Sequence, residues 1–225
     1  MMRRFNFTNL YFVLLIILGA AATFSVGCRD HDVRCGNGLC LCLDGDNCDM
    51  ECVSAPCEAV CADNGTTCTG ECANSTCTCG AGAECVFDCV TGPCHVNCEG
   101  NDYCAGVCWN GSCNCSSGSN CEFHCAQGPC HVNCDGNNGF CDGQCANGTC
   151  NCGAGSDCRF ECLDNNCKTV CSVGSACALA CPNGNVGVAD QCWISDCASG
   201  DIQVCADGLF TVCGMDCPTD SNLPD

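Results

Sequence analysis

Residues Cys68 to Cys98 read CTGECANSTCTCGAGAECVFDCVTGPCHVNC. The cysteine spacing is C-x3-C-x4-C-x-C-x5-C-x3-C-x4-C-x3-C, and it recurs from Cys104 to Cys134 and from Cys141 to Cys171 at a period of 36 or 37 residues. An amino-terminal copy runs from position 31 to Cys61 with His31 in the first cysteine place. Another starts at Cys177 and Cys181 and then departs, with Val186 and Val188 where the C-x-C pair belongs. Recurrence at this period marks a repeat array in which each unit is completed by its neighbours or by its own cross-links.

Each unit is two similar halves, because C-x3-C-x4-C occurs twice, closed by C-x-C in the first half and C-x3-C in the second. The residues inside C-x4-C are turn formers, such as ANST at 73 to 76, WNGS at 109 to 112 and VTGP at 90 to 93. Asn-Gly between short alternating segments is the strongest local hairpin signal. With Thr91-Gly92 as a two-residue turn, Cys89 faces Cys94, Phe87 faces Val96 and Cys85 faces Cys98 on one side of the hairpin. The same count sets Cys125 against Cys130 and Cys121 against Cys134. It also sets Cys162 against Cys167 and Cys158 against Cys171. In the first half, Cys72 faces Cys77 and Gly70 faces Cys79, the glycine leaving room for that sulfur to reach another strand.

The expected fold is therefore small, disulfide-rich and mostly β. Its tandem β-hairpin repeats stack as a solenoid or ladder, with little or no helix after the signal peptide. One Phe and one Val per unit return only about 2 to 3 kcal/mol each on burial, so cross-links and backbone ladders must replace hydrophobic mass. Parity favours a continuous ladder over independent beads: the amino-terminal copy has seven cysteines and the stretch from Cys177 onward seven more, so units closed on themselves would leave two distant thiols over, which bridges between successive units avoid.

Outside the repeats, Met1-Met2-Arg3-Arg4 followed by an apolar run from Leu10 to about Ala22 reads as a secretory signal at residues 1–27. Residues 28–34 form a linker, 35–188 the repeats, 189–217 a cysteine-rich cap and 218–225 an acidic tail expected to be disordered. From Cys28 onward four basic residues (Arg29, Arg34, Arg159, Lys168) stand against 26 acidic ones, 4 − 26 = −22. That balance disfavours nucleic acid and anionic headgroups as partners. With 39 cysteines in the chain, export implies disulfides, since the cytosol would keep the thiols reduced.

Ser25-Val26-Gly27-Cys28 resembles the lipobox of bacterial lipoproteins, with Ser25 where an aliphatic residue is preferred. Withdrawing Cys28 from the thiol pool leaves 39 − 1 = 38 cysteines, an even number. Together with the tandem eight-cysteine units, this stretch resembles the cysteine-rich repeat lipoproteins of Gram-negative bacteria. The resemblance implies a lipid on Cys28 and a surface role without assigning an activity, and Arg29 after the cysteine is compatible with the outer membrane.

No catalytic set emerges. The serines lie in Gly/Asn turns, no histidine has an orienting partner, and little apolar volume exists to enclose a pocket. His95 and His131 share the context CHVNC, but Glu58 and Lys168 hold that place in other copies and the face is opposite to the sulfurs, so no metal site is assigned. The C-x-C pairs look like those of metallothioneins, yet that family lacks signal peptides and aromatics and is rich in lysine. Asp44 to Asp49 starts like a calcium loop, but Ala55 stands where the twelfth-position Glu belongs. Asn64, Asn74, Asn110, Asn114 and Asn147 lie in Asn-x-Ser/Thr sequons at or near turns and read as turn chemistry. The expected function is thus a non-enzymatic, exported, lipid-anchored protein with a structural or surface-interaction role. It needs no cofactor, touches membrane only through its lipid, and partners an unknown protein or cell-surface component. The alternative is an extracytoplasmic cation-binding or metal-sequestering protein.

Overall fold

Between its turns the chain places cysteine or an apolar residue at every second position, the period of a half-buried strand. The computed structural model describes residues 32–34, 38–43, 45–52, 57–62, 64–100, 103–116, 118–127, 129–136, 139–163, 166–181, 192–198, 200–205 and 208–218. These build an all-β, disulfide-rich solenoid without helix among the described residues.

One sheet has nine strands. In stacking order they are β2 (Gly38–Cys42), β4 (Cys57–Cys61), β6 (Thr76–Cys79), β8 (His95–Cys98), β10 (Ser112–Cys115), β12 (His131–Cys134), β14 (Thr149–Cys152), β16 (Cys167–Cys171) and β18 (Cys192–Cys197). The other sheet has eleven. They are β1 (Asp32–Arg34), β3 (Asn47–Cys52), β5 (Thr67–Ala73), β7 (Glu84–Thr91), β9 (Tyr103–Trp109), β11 (Asn120–Gln127), β13 (Phe140–Cys145), β15 (Asp157–Cys162), β17 (Ala176–Ala180), β20 (Phe210–Cys213) and β19 (Ile202–Val204). The chain alternates between the sheets, and from β1 to β18 each strand bonds in parallel to the equivalent strand of the next coil. Among the described residues only β20 runs antiparallel, against β17 and β19.

The two strands of each half-unit are therefore not a hairpin. β7 hydrogen-bonds to β5 and β9, and β8 to β6 and β10, so β7 and β8 face each other through their side chains as an arch. Phe87 and Val96 still meet across one interior, both fully buried. Hairpin and arch share the same inward alternation around the same turn and differ by a quarter rotation of each strand, which residue pattern does not report. At the turns Asn74, Asn110 and Asn147 are left-handed, with φ of 50°, 49° and 49°, while Gly111 and Gly148 after the last two are not, so these are not the type I′ turns that Asn-Gly favours in a hairpin.

The sequence unit is two coils, and the core explains why. Along the eleven-stranded sheet the central inward position holds Met50, Gly70, Phe87, Gly106, Phe123, Gly143, Phe160 and Leu179 in successive strands. Opposite them run Cys40, Ala59, Cys77, Val96, Cys113, Val132, Cys150, Thr169 and Ile194. Gly70, Gly106 and Gly143 thus share a coil with the central cysteines Cys77, Cys113 and Cys150, whereas Met50, Phe87, Phe123 and Phe160 share one with Ala59, Val96, Val132 and Thr169. Equivalent positions stack only ~4.8 Å apart, so large and small alternate to keep the interior close-packed. A Cβ on Gly106 would lie 2.6 Å from the carbonyl oxygen of Phe87, and one on Gly143 would lie 3.0 Å from that of Phe123. Gly70, Gly106 and Gly143 accordingly make room for the neighbouring coil, not for the sulfurs of Cys79, Cys115 and Cys152.

The two outer faces differ in charge. On the eleven-stranded sheet β3, β5, β7, β11, β13 and β15 each turn at least one carboxylate outward, for example Asp49, Glu71, Asp88, Glu122, Asp142 and Glu161. On the nine-stranded sheet, β6 to β14 contain only Thr, Ser, Asn, His, Val and Cys.

Candidate functional site

Sulfur chemistry dominates the interior. One column of bridges lies at one end of every coil: Cys42–Cys48, Cys61–Cys68, Cys79–Cys85, Cys98–Cys104, Cys115–Cys121, Cys134–Cys141, Cys152–Cys158 and Cys171–Cys177. Cys197–Cys213 continues it, because Cys197 pairs in register with Cys171 and Cys213 with Cys177, although the loop between them is much longer. The second column, across the Asn and Gly turns, holds Cys52–Cys57, Cys72–Cys77, Cys89–Cys94, Cys108–Cys113, Cys125–Cys130, Cys145–Cys150, Cys162–Cys167 and Cys181–Cys192. Cys205–Cys217 lies beyond both columns.

The facing pairs Cys89–Cys94, Cys125–Cys130 and Cys162–Cys167 are bonded. The pairs Cys85 with Cys98, Cys121 with Cys134 and Cys158 with Cys171 are not. Each of these six residues bonds across the turn on its other side, Cys85 to Cys79 and Cys98 to Cys104 in the first unit. In an arch the open end of the expected hairpin belongs to two successive coils, so Cys98 stacks one strand above Cys79 and reaches forward. Cys61–Cys68, Cys98–Cys104 and Cys134–Cys141 are the links between successive sequence units that parity requires.

The second column joins the two strands of one coil, and the first joins the last strand of a coil to the first strand of the next, beside the backbone ladders and packing that also hold coil to coil. Eighteen bridges occupy 36 of the 39 cysteines. The remaining three are Cys28, Cys35 and Cys40, of which Cys40 is itself disulfide-bonded. Cys28 and Cys35 lie outside the described residues.

The histidines sit apart from the sulfur. His95 and His131 are exposed on the nine-stranded sheet, and His95 Nδ1 lies 2.7 Å from Ser112 Oγ. His124 belongs to the acidic face, 3.4 Å from Glu122 Oε1, and His31 lies outside the described residues. Among the described residues no group of three or more His, Cys, Asp or Glu side chains converges to hold a metal ion. The acidic loop that begins at Asp44 lies partly outside the described residues; within it the Gly45 amide donates to Thr66 Oγ1 at 3.1 Å.

Titratable groups do gather on the acidic face between β9 and β15. Tyr103 donates to Glu122 Oε2 at 2.7 Å, and holding that proton beside a carboxylate pushes the phenol pKa up. Asp142 is raised chiefly by burial, against the opposing pull of the Gly143 amide and the Arg159 guanidinium, while Glu122 adds to the rise. Arg159 also lies over the Phe140 ring, 5.5 Å from its centre, and Gln144 Nε2 donates to Glu161 Oε2 at 3.0 Å. These groups lie on the outer face of the eleven-stranded sheet.

One arrangement escaped the sequence reading. Asn114 donates to Asn97 at 2.7 Å, Asn133 to Asn114 at 2.8 Å, and Asn151 to Asn133 at 2.6 Å, a ladder of side-chain amides across β8, β10, β12 and β14. The available signal was Asn directly before the last cysteine of four successive halves. Reading those halves as hairpins put their asparagines on separate surfaces. Comparison of the chain with protein-family models, with curated proteins and with solved structures finds no match to any of them.

Proposed function

We propose that this is a non-enzymatic, lipid-anchored protein of the cell surface whose solenoid is a cross-linked, protease-resistant scaffold or interaction surface. The bridge count carries the reading: bridges at both ends of the coils belong to an oxidising, extracytoplasmic compartment, and the odd total of 39 cysteines matches acylation of Cys28. The two sheet faces fit display better than catalysis, because both are open. Attachment through residues 28–34, as in the cysteine-rich repeat lipoproteins that the sequence resembles, would present the array away from the membrane.

Labelling of the exported protein with a radioactive fatty acid tests this. Label on the wild-type chain and none on Cys28→Ser is expected; a Cys28→Ser variant that still labels refutes the anchor. The carboxylates of the eleven-stranded sheet favour a second reading, an extracytoplasmic cation-binding protein. Intact mass with and without reduction, together with metal analysis, separates the two. Free thiol with stoichiometric metal supports the second, and fully oxidised, metal-free protein the first.

A further inference from the structure

The outer face of the nine-stranded sheet from β6 to β14 stands out from the rest of the molecule in three respects. It is uncharged: its outward positions are Thr76, Thr78 and then pairs two residues apart, His95 with Asn97, Ser112 with Asn114, His131 with Asn133 and Thr149 with Asn151. In a chain of formal charge −20, five consecutive strands without a carboxylate are a strong asymmetry, bounded by Glu58 on β4 and Lys168 on β16. Its pairing is regular: from β6 to β14 it contains no register shift, whereas β5 with β7 and β9 with β11 on the opposite sheet both do. Finally, it is preorganised. Each amide bond of the Asn ladder fixes the orientation of the next, and Asn114 Nδ2 also lies 3.4 Å from Ser112 Oγ, which ties the ladder to the hydroxyl row beside it.

The chemistry of the face selects its partner. Cations are drawn to the opposite, carboxylate-bearing sheet, and anions are repelled by the molecule as a whole. An apolar partner finds no exposed aliphatic side chain on these strands. What remains complementary is an uncharged ligand rich in hydroxyls, able both to donate to and to accept from amides, imidazoles and alcohols.

Periodicity narrows it further. Histidine and hydroxyl residues alternate from strand to strand, so the surface repeats every second strand, roughly 9.6 Å from the ~4.8 Å strand spacing. An extended β-linked glycan, whose successive rings face opposite ways, also repeats every second residue. We infer that this face binds an extended, uncharged β-linked polysaccharide lying along the solenoid axis, its hydroxyls on the Asn ladder and alternate rings against His95 and His131. This deepens the surface-interaction part of the function proposed above and is independent of the lipid.

The test uses the exported protein, with retention measured on microcrystalline cellulose, on β-chitin and on α-linked amylose. Retention on cellulose or chitin and none on amylose is expected. Asn133→Asp, which places a carboxylate in the ladder, and His131→Ala should each weaken retention by about tenfold or more, as loss of preorganised hydrogen bonds does. Glu122→Gln on the opposite sheet should leave it unchanged. Circular dichroism and the absence of free thiol in intact mass certify the fold of each variant. No retention on either β-glycan, equal retention on amylose, or retention unaffected by both Asn133→Asp and His131→Ala overturns the inference. Fatty-acid labelling of Cys28 is read on the same preparations, so failure of the anchor and failure of glycan binding remain separate results.

Discussion

Thr169→Val should stabilise the array. Thr169 is fully buried in the central inward row of the nine-stranded sheet, between Cys150 and Ile194, and its hydroxyl has no hydrogen-bond partner. The equivalent positions two and four strands earlier hold Val132 and Val96, also fully buried, so the interior already accommodates valine there. Removing an unsatisfied buried hydroxyl relieves about 1 to 3 kcal/mol, and the near-identical shape leaves little repacking cost to subtract. We expect about 1 to 2 kcal/mol, a five- to thirtyfold slowing of local opening. Because the stability of a solenoid is distributed coil by coil, the assay is amide hydrogen exchange resolved to β14, β16 and β18 rather than a global midpoint. The mirror substitution Val132→Thr should accelerate exchange of β10, β12 and β14 by a similar factor. If Thr169→Val leaves exchange unchanged or speeds it while Val132→Thr is neutral, buried hydroxyls are tolerated in this row and the reasoning fails.

Four more outcomes follow from the same geometry. Phe123→Ala should cost about 3 to 5 kcal/mol of local stability by opening a cavity between Gly106 and Gly143, read as faster exchange in β9 to β13. Gly106→Ala should cost about 1 to 3 kcal/mol and should not be rescued by Phe87→Leu, because the added Cβ meets the Phe87 carbonyl and not its ring. Replacing both Cys98 and Cys104 by serine removes a bridge that closes a loop of sequence separation 6, worth about 2 kcal/mol in the chain-entropy account. Exchange should rise around β8 and β9 and stay unchanged at β16 and β17. Asp142→Asn should stabilise at neutral pH: burial raises the folded pKa above the unfolded one, so the ionised form carries a cost above the folded pKa that is relieved as pH falls through it. The advantage of the asparagine should therefore shrink in acid, and a pH-independent difference would contradict burial as the cause.

The acidic and neutral faces show how little side-chain alternation alone says about surfaces. Asn97, Asn114, Asn133 and Asn151 are separated by 17 to 19 residues, yet each touches the next, because one coil of the solenoid brings the chain back to the same height plus one strand. Likewise Tyr103 and Glu122 meet across adjacent strands of the other sheet. Neither contact follows from a hairpin, whose two strands lie side by side and end there. Both follow once the strands of one half-unit are split between two sheets.

Cysteine spacing, parity and inward alternation by themselves determined a cross-linked β array with Phe87 and Val96 sharing an interior, with the Asn and Gly turns at its ends, and with Cys89 opposite Cys94. These are local or arithmetical properties, carried by residues a few positions apart. Only the tertiary structure decided that backbone hydrogen bonds run between coils instead of within a half-unit, that Cys85 pairs back to Cys79 while Cys98 reaches forward to Cys104, and that glycine alternates with phenylalanine to let neighbouring coils stack. The physical reason is that hairpin and arch bury the same side chains around the same turn. The choice between them rests on where the backbone N–H and C=O groups find partners, and in a stack of similar coils the inner strands find theirs in the coils above and below.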